Sequence, residues 1–186
     1  MSAATSSEEP ETVLVVLGSN IDPAVNLPRA ARRLAARFPG LAASRLYATE
    51  PVGAPGAPPF LNAAVAIVTA LPLVELRDRV LRPLEAELGR VRGADRNAPR
   101  PIDLDIAFCG PRVVRDPETG IEVPDPEIVA CAHLALPLAD LAPDAVHPLD
   151  GRTLTAIAAV FEGAPGVRVI GGPEALIGWV TGAPGG

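Results

Sequence analysis

The sequence predicts an α+β fold carried by one domain, and three observations lead there. The chain has 186 residues, about the size of one ordinary domain. Its residues are 48% hydrophobic and 20% charged, the balance of a globular protein that can bury one real core. Short apolar runs alternate with helix-spaced apolar residues in the order β-α-β-β-α-β, the pattern of an antiparallel sheet with helices packed on one face.

Each element has its own signal. Residues 1–11 open acidic and polar, unlike a signal peptide, and read as a disordered tail. Residues 12–17 (TVLVVL) form a buried strand, broken at Gly18-Ser19-Asn20. A helix then starts between Asp22 and Asn26, either of which could cap it, and stops at Pro39-Gly40. Leu27, Ala31, Leu34 and Phe38 mark its apolar side. A second strand covers residues 44–49, and the Pro/Gly-rich run 50–59 is a loop long enough to suggest a binding role. Residues 60–69 (FLNAAVAIVT) are a third strand. Leu73, Leu76, Val80, Leu84 and Leu88 trace a helix that ends at Gly89, and Pro83 should kink or split it. An arginine-rich loop, 90–100, leads into a fourth strand over 102–109 (IDLDIAFC). This βαββαβ order is the ferredoxin-like arrangement. Beyond it come a hairpin (Val113-Val114 with 121–123), a helical or irregular stretch and a helix over 153–161. The principal domain is expected to span 12–162, with 163–186 an extension of less defined structure, read as a strand and short helix.

Composition removes several functions. The net charge is −6, which does not favour nucleic acid or an anionic membrane as partner. All 16 basic residues are arginine; without lysine there is no Walker P-loop and no Schiff-base enzyme. One Tyr, one Trp and four Phe do not read as a base-stacking platform. Cys109 and Cys131 lack CxxC spacing, and with His133 and His147 alone they do not read as a structural zinc site. No apolar run reaches the roughly 18 residues a membrane span needs. The expectation is a cytoplasmic, reduced, monomeric protein acting on a small molecule.

The chemistry concentrates on the fourth strand and the loop before it. By alternation, Ile102, Leu104, Ile106 and Phe108 face a core, while Asp103 and Asp105 share the opposite face. Two adjacent carboxylates repel unless a cation lies between them, and hard oxygen ligands suit Mg²⁺. Arg90, Arg92, Arg96 and Arg100 stand just upstream. Guanidiniums beside a metal are what phosphoryl transfer requires, because its catalysis is mostly positioning and charge stabilisation. On the third strand Phe60 and Asn62 share a face, a ring and an amide that suit a flat, hydrogen-bonding heterocycle.

Five segments in this order carry a resemblance: Leu17-Gly18-Ser19-Asn20, the run from Tyr47 through Pro51 to Gly53, the run from Phe60 to Val65, the run from Leu88 to Arg92, and the run from Pro99 to Ile106. Over residues 12 to 162 the chain resembles the 6-hydroxymethyl-7,8-dihydropterin pyrophosphokinases of folate biosynthesis. The resemblance implies transfer of pyrophosphate from MgATP to the hydroxymethyl group of a reduced pterin, with release of AMP. It implies two Mg²⁺ ions on Asp103 and Asp105 and phosphate clamping by Arg90 and Arg100. It assigns Glu85, Arg92 and Ile106 to the ATP site and Gly18, Thr49, Val52, Phe60 and Asn62 to the pterin site. The loops 50–59 and 90–100 correspond to mobile lids. One segment departs from the pattern. Val123-Pro124-Asp125 and Cys131-Ala132-His133 stand where family members carry Val-Pro-His and Arg-x-Phe. Asp125 and Cys131 replace two triphosphate contacts, each worth about 1.5–3 kcal/mol, and His133 replaces a ring that stacks on the pterin. Asn97 replaces a lid tryptophan. The departures open two alternatives: a paralogue acting on another hydroxyl-bearing heteroaromatic molecule, and a non-catalytic binding domain that kept the scaffold.

Overall fold

A computed structural model describes residues 9–50, 58–91 and 99–177. Strand β1 (Glu11–Ser19) is built on the apolar run Val13 to Leu17, and the chain leaves it through Asp22, whose φ of 43° turns it into helix α1 (Pro23–Arg37). Asp22 caps that helix with no side-chain hydrogen bond, whereas the Asn26 Nδ2 donates to the Ile21 carbonyl at 2.8 Å. The expected second strand forms in two pieces, β2 (Ala42–Ala43) and β3 (Leu46–Thr49). Between them Ser44 is buried; its Oγ accepts from the Ala64 N–H at 2.8 Å and donates to the Arg45 carbonyl at 2.7 Å. A side-chain oxygen thus stands in the ladder where a backbone carbonyl would. Strand β4 (Phe60–Thr69) follows.

Pro83 does interrupt its helix. The segment runs as α2 (Leu73–Leu76), one wide π turn over Arg77–Leu81, and α3 (Arg82–Glu87). The Arg82 N–H reaches back five residues to the Arg77 carbonyl. Proline has no N–H to give and its ring crowds the preceding turn, so the widened turn accommodates it without ending the helix. Strand β5 (Asp103–Phe108), the hairpin β6 (Val114–Asp116) with β7 (Ile121–Val123), α4 (Ala132–Leu141), α5 (Leu154–Ala158), β8 (Val167–Gly171) and α6 (Glu174–Ile177) complete the order.

The main sheet is antiparallel in every pairing, ordered β5-β1-β4-β3-β8, with β2 also on β4. The first four of those strands are the predicted ferredoxin-like sheet. Edge strand β8 extends it, and Leu176 of α6 is fully buried in the main core.

Two features depart from the sequence reading. Helices were expected on one face only, yet both faces are covered. Val13, Val15 and Leu17 pack with α1 and the α2–α3 segment, while Leu14 and Val16 pack with α4 and α5 around Tyr47, Ala64 and Phe108. A strand apolar on both sides has to be covered on both. Phe108 also lies on the face opposite Ile106. The register of β5 on β1 shifts between Leu14–Phe108 and Val15–Ile106, so one extra residue turns Phe108 over to the second cluster.

Helix α4 is tied to the sheet by Asp140. Its carboxylate accepts from the Tyr47 hydroxyl at 2.8 Å and from the Arg45 guanidinium at 2.6 Å. Burial first, and then the hydrogen bond to Asp140, raise the Tyr47 pKa and keep the phenol protonated.

Candidate active site

The second face of the sheet is apolar under α4 and α5 and polar beyond them. There the register aligns one residue from each of four strands: Asp103 opposite Gly18, Gly18 opposite Asn62, Asn62 opposite Tyr47. One step along, Thr49 lies opposite Phe60. The Asn62 Nδ2 donates to the Thr49 Oγ1 at 2.8 Å, which fixes the amide and leaves its Oδ1 toward Gly18. A Cβ at Gly18 would stand 3.1 Å from that oxygen, so glycine is what lets the amide lie against β1.

Asp103 is the electrostatic centre of this row. Its Oδ1 accepts from the Arg90 guanidinium and its Oδ2 from the Arg100 Nη1 at 2.5 Å. Burial alone would raise its pKa, but the hydrogen bonds and charge of Arg90 and Arg100 outweigh it and hold the carboxyl below its ordinary value. Asp105, two residues on, is exposed to solvent, with protein crowded around its carboxyl group. Burial, then the charge of Asp103 and a hydrogen bond with it, then the charge of Glu85, push it up to about 7 against the pull of Arg90. Among the described residues, negative charge therefore outweighs positive charge at Asp105.

Both arginines are themselves positioned. The Arg90 Nη1 donates to the Glu85 Oε1 at 2.5 Å, and the same oxygen accepts from the Leu104 N–H at 2.8 Å. Glu85 is 1% exposed, so it fastens α3, β5 and Arg90 to one another from inside the protein. The Arg100 backbone is clamped to the turn after β1: its N–H donates to the Asn20 Oδ1 at 2.7 Å, and its carbonyl accepts from Asn20 and Ile21. Its guanidinium lies 5.9 Å from the centre of the Phe60 ring, within cation–π range. Asn20 was not among the predicted site residues; its signal was its place at the end of the Gly18-Ser19-Asn20 break.

The structure thus brings Gly18, Thr49, Phe60, Asn62, Asp103 and Asp105 to one end of one sheet face, with Arg90 and Arg100 on Asp103 and with Glu85, from α3, holding Arg90 at the β5 edge. It does not bring the Ile106 side chain there, since that packs in the core on the opposite face. Val52 and Arg92, with most of the two expected lids and Asn97, lie outside the described residues. His133, in the first turn of α4, feels the charges of Glu127, Asp125 and Asp103, and burial lowers its pKa. Cys109 is buried with its thiol on the Glu11 carboxylate, pushed up to about 11 by burial and then by Glu11.

Residues 14–143 match the family model described as 7,8-dihydro-6-hydroxymethylpterin-pyrophosphokinase. This chain belongs to that family. It is 39% identical to the 2-amino-4-hydroxy-6-hydroxymethyldihydropteridine pyrophosphokinase of Pseudomonas aeruginosa over 82% of its own length and 94% of that protein. With the enzyme of the same name from Synechocystis it shares 30% identity over 87% of its length and 85% of that protein. The fold is similar to a solved Plasmodium falciparum HPPK-DHPS, with a TM-score of 0.66 at 14% identity, over 89% of this chain and 50% of that one. As a pyrophosphokinase of this family the chain is a transferase that moves pyrophosphate from ATP to 6-hydroxymethyl-7,8-dihydropterin in folate synthesis. Nothing in these likenesses favours another acceptor. No described helix is long and apolar enough to cross a membrane.

Proposed function

We infer that the reaction takes place over the Asp103–Gly18–Asn62 row, with the hydroxymethyl oxygen of the pterin replacing AMP on the β-phosphorus of ATP. The observation that carries this is the in-register row itself, which sets the paired carboxylates and two guanidiniums a strand or two from an amide and an aromatic ring. Asp103 and Asp105 would hold two Mg²⁺ ions, and the donor set fits: both ligands are hard oxygens, and among the described residues negative charge outweighs the pull of Arg90 at Asp105. Bound there, Mg²⁺ would neutralise the triphosphate and the developing charge on the leaving group.

In this reading Arg90 and Arg100 turn from Asp103 toward phosphate oxygens when nucleotide arrives, both remaining anchored from behind. Arg92 joins them on the nucleotide. Glu85 acts as a positioning residue through Arg90, and Ile106 contributes to the nucleotide site by its place on β5. Phe60 offers its ring to the pterin, Asn62 its amide, and Thr49 holds that amide in one orientation. Gly18 leaves room for the amide, and Val52 and His133 close the pocket. The catalytic domain spans 12–162 and the protein works as a cytoplasmic monomer.

The test is AMP formation from ATP and Mg²⁺ with and without 6-hydroxymethyl-7,8-dihydropterin, with the product mass checked. Pterin-dependent AMP and a diphosphorylated pterin are expected. ATP binding without acceptor-dependent AMP would overturn the assignment of the acceptor site.

A further inference from the structure

Beyond the carboxylate pair, the described residues hold a second group of metal-ligating side chains. One donor atom each from Glu127, Cys131 and His133 lies within 4.8 Å of the other two. A tight turn gathers them. Asp125 caps a 3₁₀ turn over Pro126–Val129 by accepting from the Glu127 N–H at 2.8 Å, and the Glu127 carbonyl accepts from the Cys131 N–H at 2.9 Å. Cys131 then caps α4, whose first turn presents His133. Buried Ile128 and Leu134 pin both sides of the turn in the second core, so the backbone beneath the three donors is fixed. Among the described residues none of the three donor atoms is engaged in a hydrogen bond or ion pair. Asp125 and Asp103 add negative charge around His133.

We propose that Glu127, Cys131 and His133 form a binding site for a zinc-class divalent metal ion, separate from the Asp103–Asp105 pair. A thiolate, an imidazole and a carboxylate together select Zn²⁺ or Co²⁺ over Mg²⁺, which prefers an all-oxygen shell. Ligand atoms on a tetrahedral zinc stand about 3.3–3.7 Å apart, from metal–ligand lengths of about 2.0–2.3 Å. The three side chains close that gap by small rotations, since Cys131 and His133 are half-buried and Glu127 is exposed. Three protein ligands leave one position for solvent or an oxygen of a bound molecule. The two histidines and two cysteines of the chain do not make this site by themselves; the carboxylate of Glu127 completes it. A metal-bound imidazole keeps its ring face, so the site is compatible with His133 also lying against the pterin.

The experiment is titration of Co²⁺ into reduced, tag-free protein without ATP or pterin, read by the near-ultraviolet sulfur-to-cobalt band. One equivalent is expected to develop the band, excess Mg²⁺ to leave it, and Zn²⁺ to erase it. Cys131→Ser should abolish the band, and His133→Ala or Glu127→Gln should weaken binding about ten-fold or more. Cys109→Ser and the Asp103→Asn, Asp105→Asn double variant should retain it. Absence of the band, its survival in Cys131→Ser, its loss in Cys109→Ser, or unchanged affinity in His133→Ala would each overturn the site. Because no turnover is measured, failure here is distinct from failure of the pyrophosphokinase assignment.

Discussion

Arg90 owes its position to a residue that is itself almost invisible from solvent. One oxygen of Glu85 takes both the Leu104 N–H and the Arg90 Nη1, so the carboxylate holds strand and guanidinium at once. Glu85→Gln keeps the shape but removes the charge, so the part-buried Arg90 guanidinium faces a neutral amide in place of a carboxylate. A loss of about 1–3 kcal/mol in urea unfolding is expected. If Arg90 clamps phosphate, kcat/KM should also fall by about ten-fold, equivalent to about 1.4 kcal/mol of transition-state stabilisation; unchanged kinetics in a destabilised variant would confine Glu85 to the fold. Gly18 works by absence. Gly18→Ala sets a Cβ 3.1 Å from the Asn62 Oδ1 and pushes the amide off Thr49. The expected result is a several-fold higher KM for the pterin, with a stability cost of about 1 kcal/mol. A larger effect on the KM for ATP than for the pterin would contradict the place given to Asn62.

At the scale of elements, the sheet tolerates two irregularities because side chains or neighbouring strands absorb them. At Ser44 the absorbing group is a hydroxyl: it accepts the Ala64 N–H in the gap between β2 and β3. Ser44→Ala would leave that N–H buried and unpaired, and unfolding is expected to become easier by about 1–3 kcal/mol, measured by denaturant midpoint at constant m-value. A neutral result would mean that the backbone closes the gap. At Phe108 the absorbing element is the partner strand, whose shifted register sends a large ring to the second cluster while Ile106 stays in the first. The wide turn over Arg77–Leu81 does the same for Pro83, which interrupts the hydrogen bonds of the helix without ending it.

For the molecule as a whole, the two faces of one sheet have different work. One is closed by α1 and the α2–α3 segment; the other is half closed by α4 and α5 and left polar where the charged groups gather. The site is therefore built on a rigid platform, and removing a site carboxylate should not unfold it. Asp105→Ala is expected to leave the melting temperature of the ligand-free protein equal or higher, since like charges beside Asp103 and Glu85 are relieved. It should abolish pterin-dependent AMP formation and the stabilisation by MgATP, which for an intact site at 100 times its Kd is about 2.7 kcal/mol. Retained stabilisation would place the metal elsewhere.

Periodicity and breakers alone determined the βαββαβ order, because side-chain alternation and the lack of a proline N–H are local properties. Local alternation likewise put Asp103 with Asp105 on one side of their strand and Phe60 with Asn62 on one side of theirs, and spacing placed the arginines just upstream. Only the tertiary structure decided what depends on a distant partner. The register of β1 turned Phe108 away from Ile106, and a strand apolar on both sides drew α4 and α5 onto the second face. The fold also placed Glu85 beneath Arg90, Asn20 against Arg100, and Glu127 beside Cys131 and His133. Hydrogen bonds and ion pairs act through a few ångströms of space, and only the closed chain says which residues share that space.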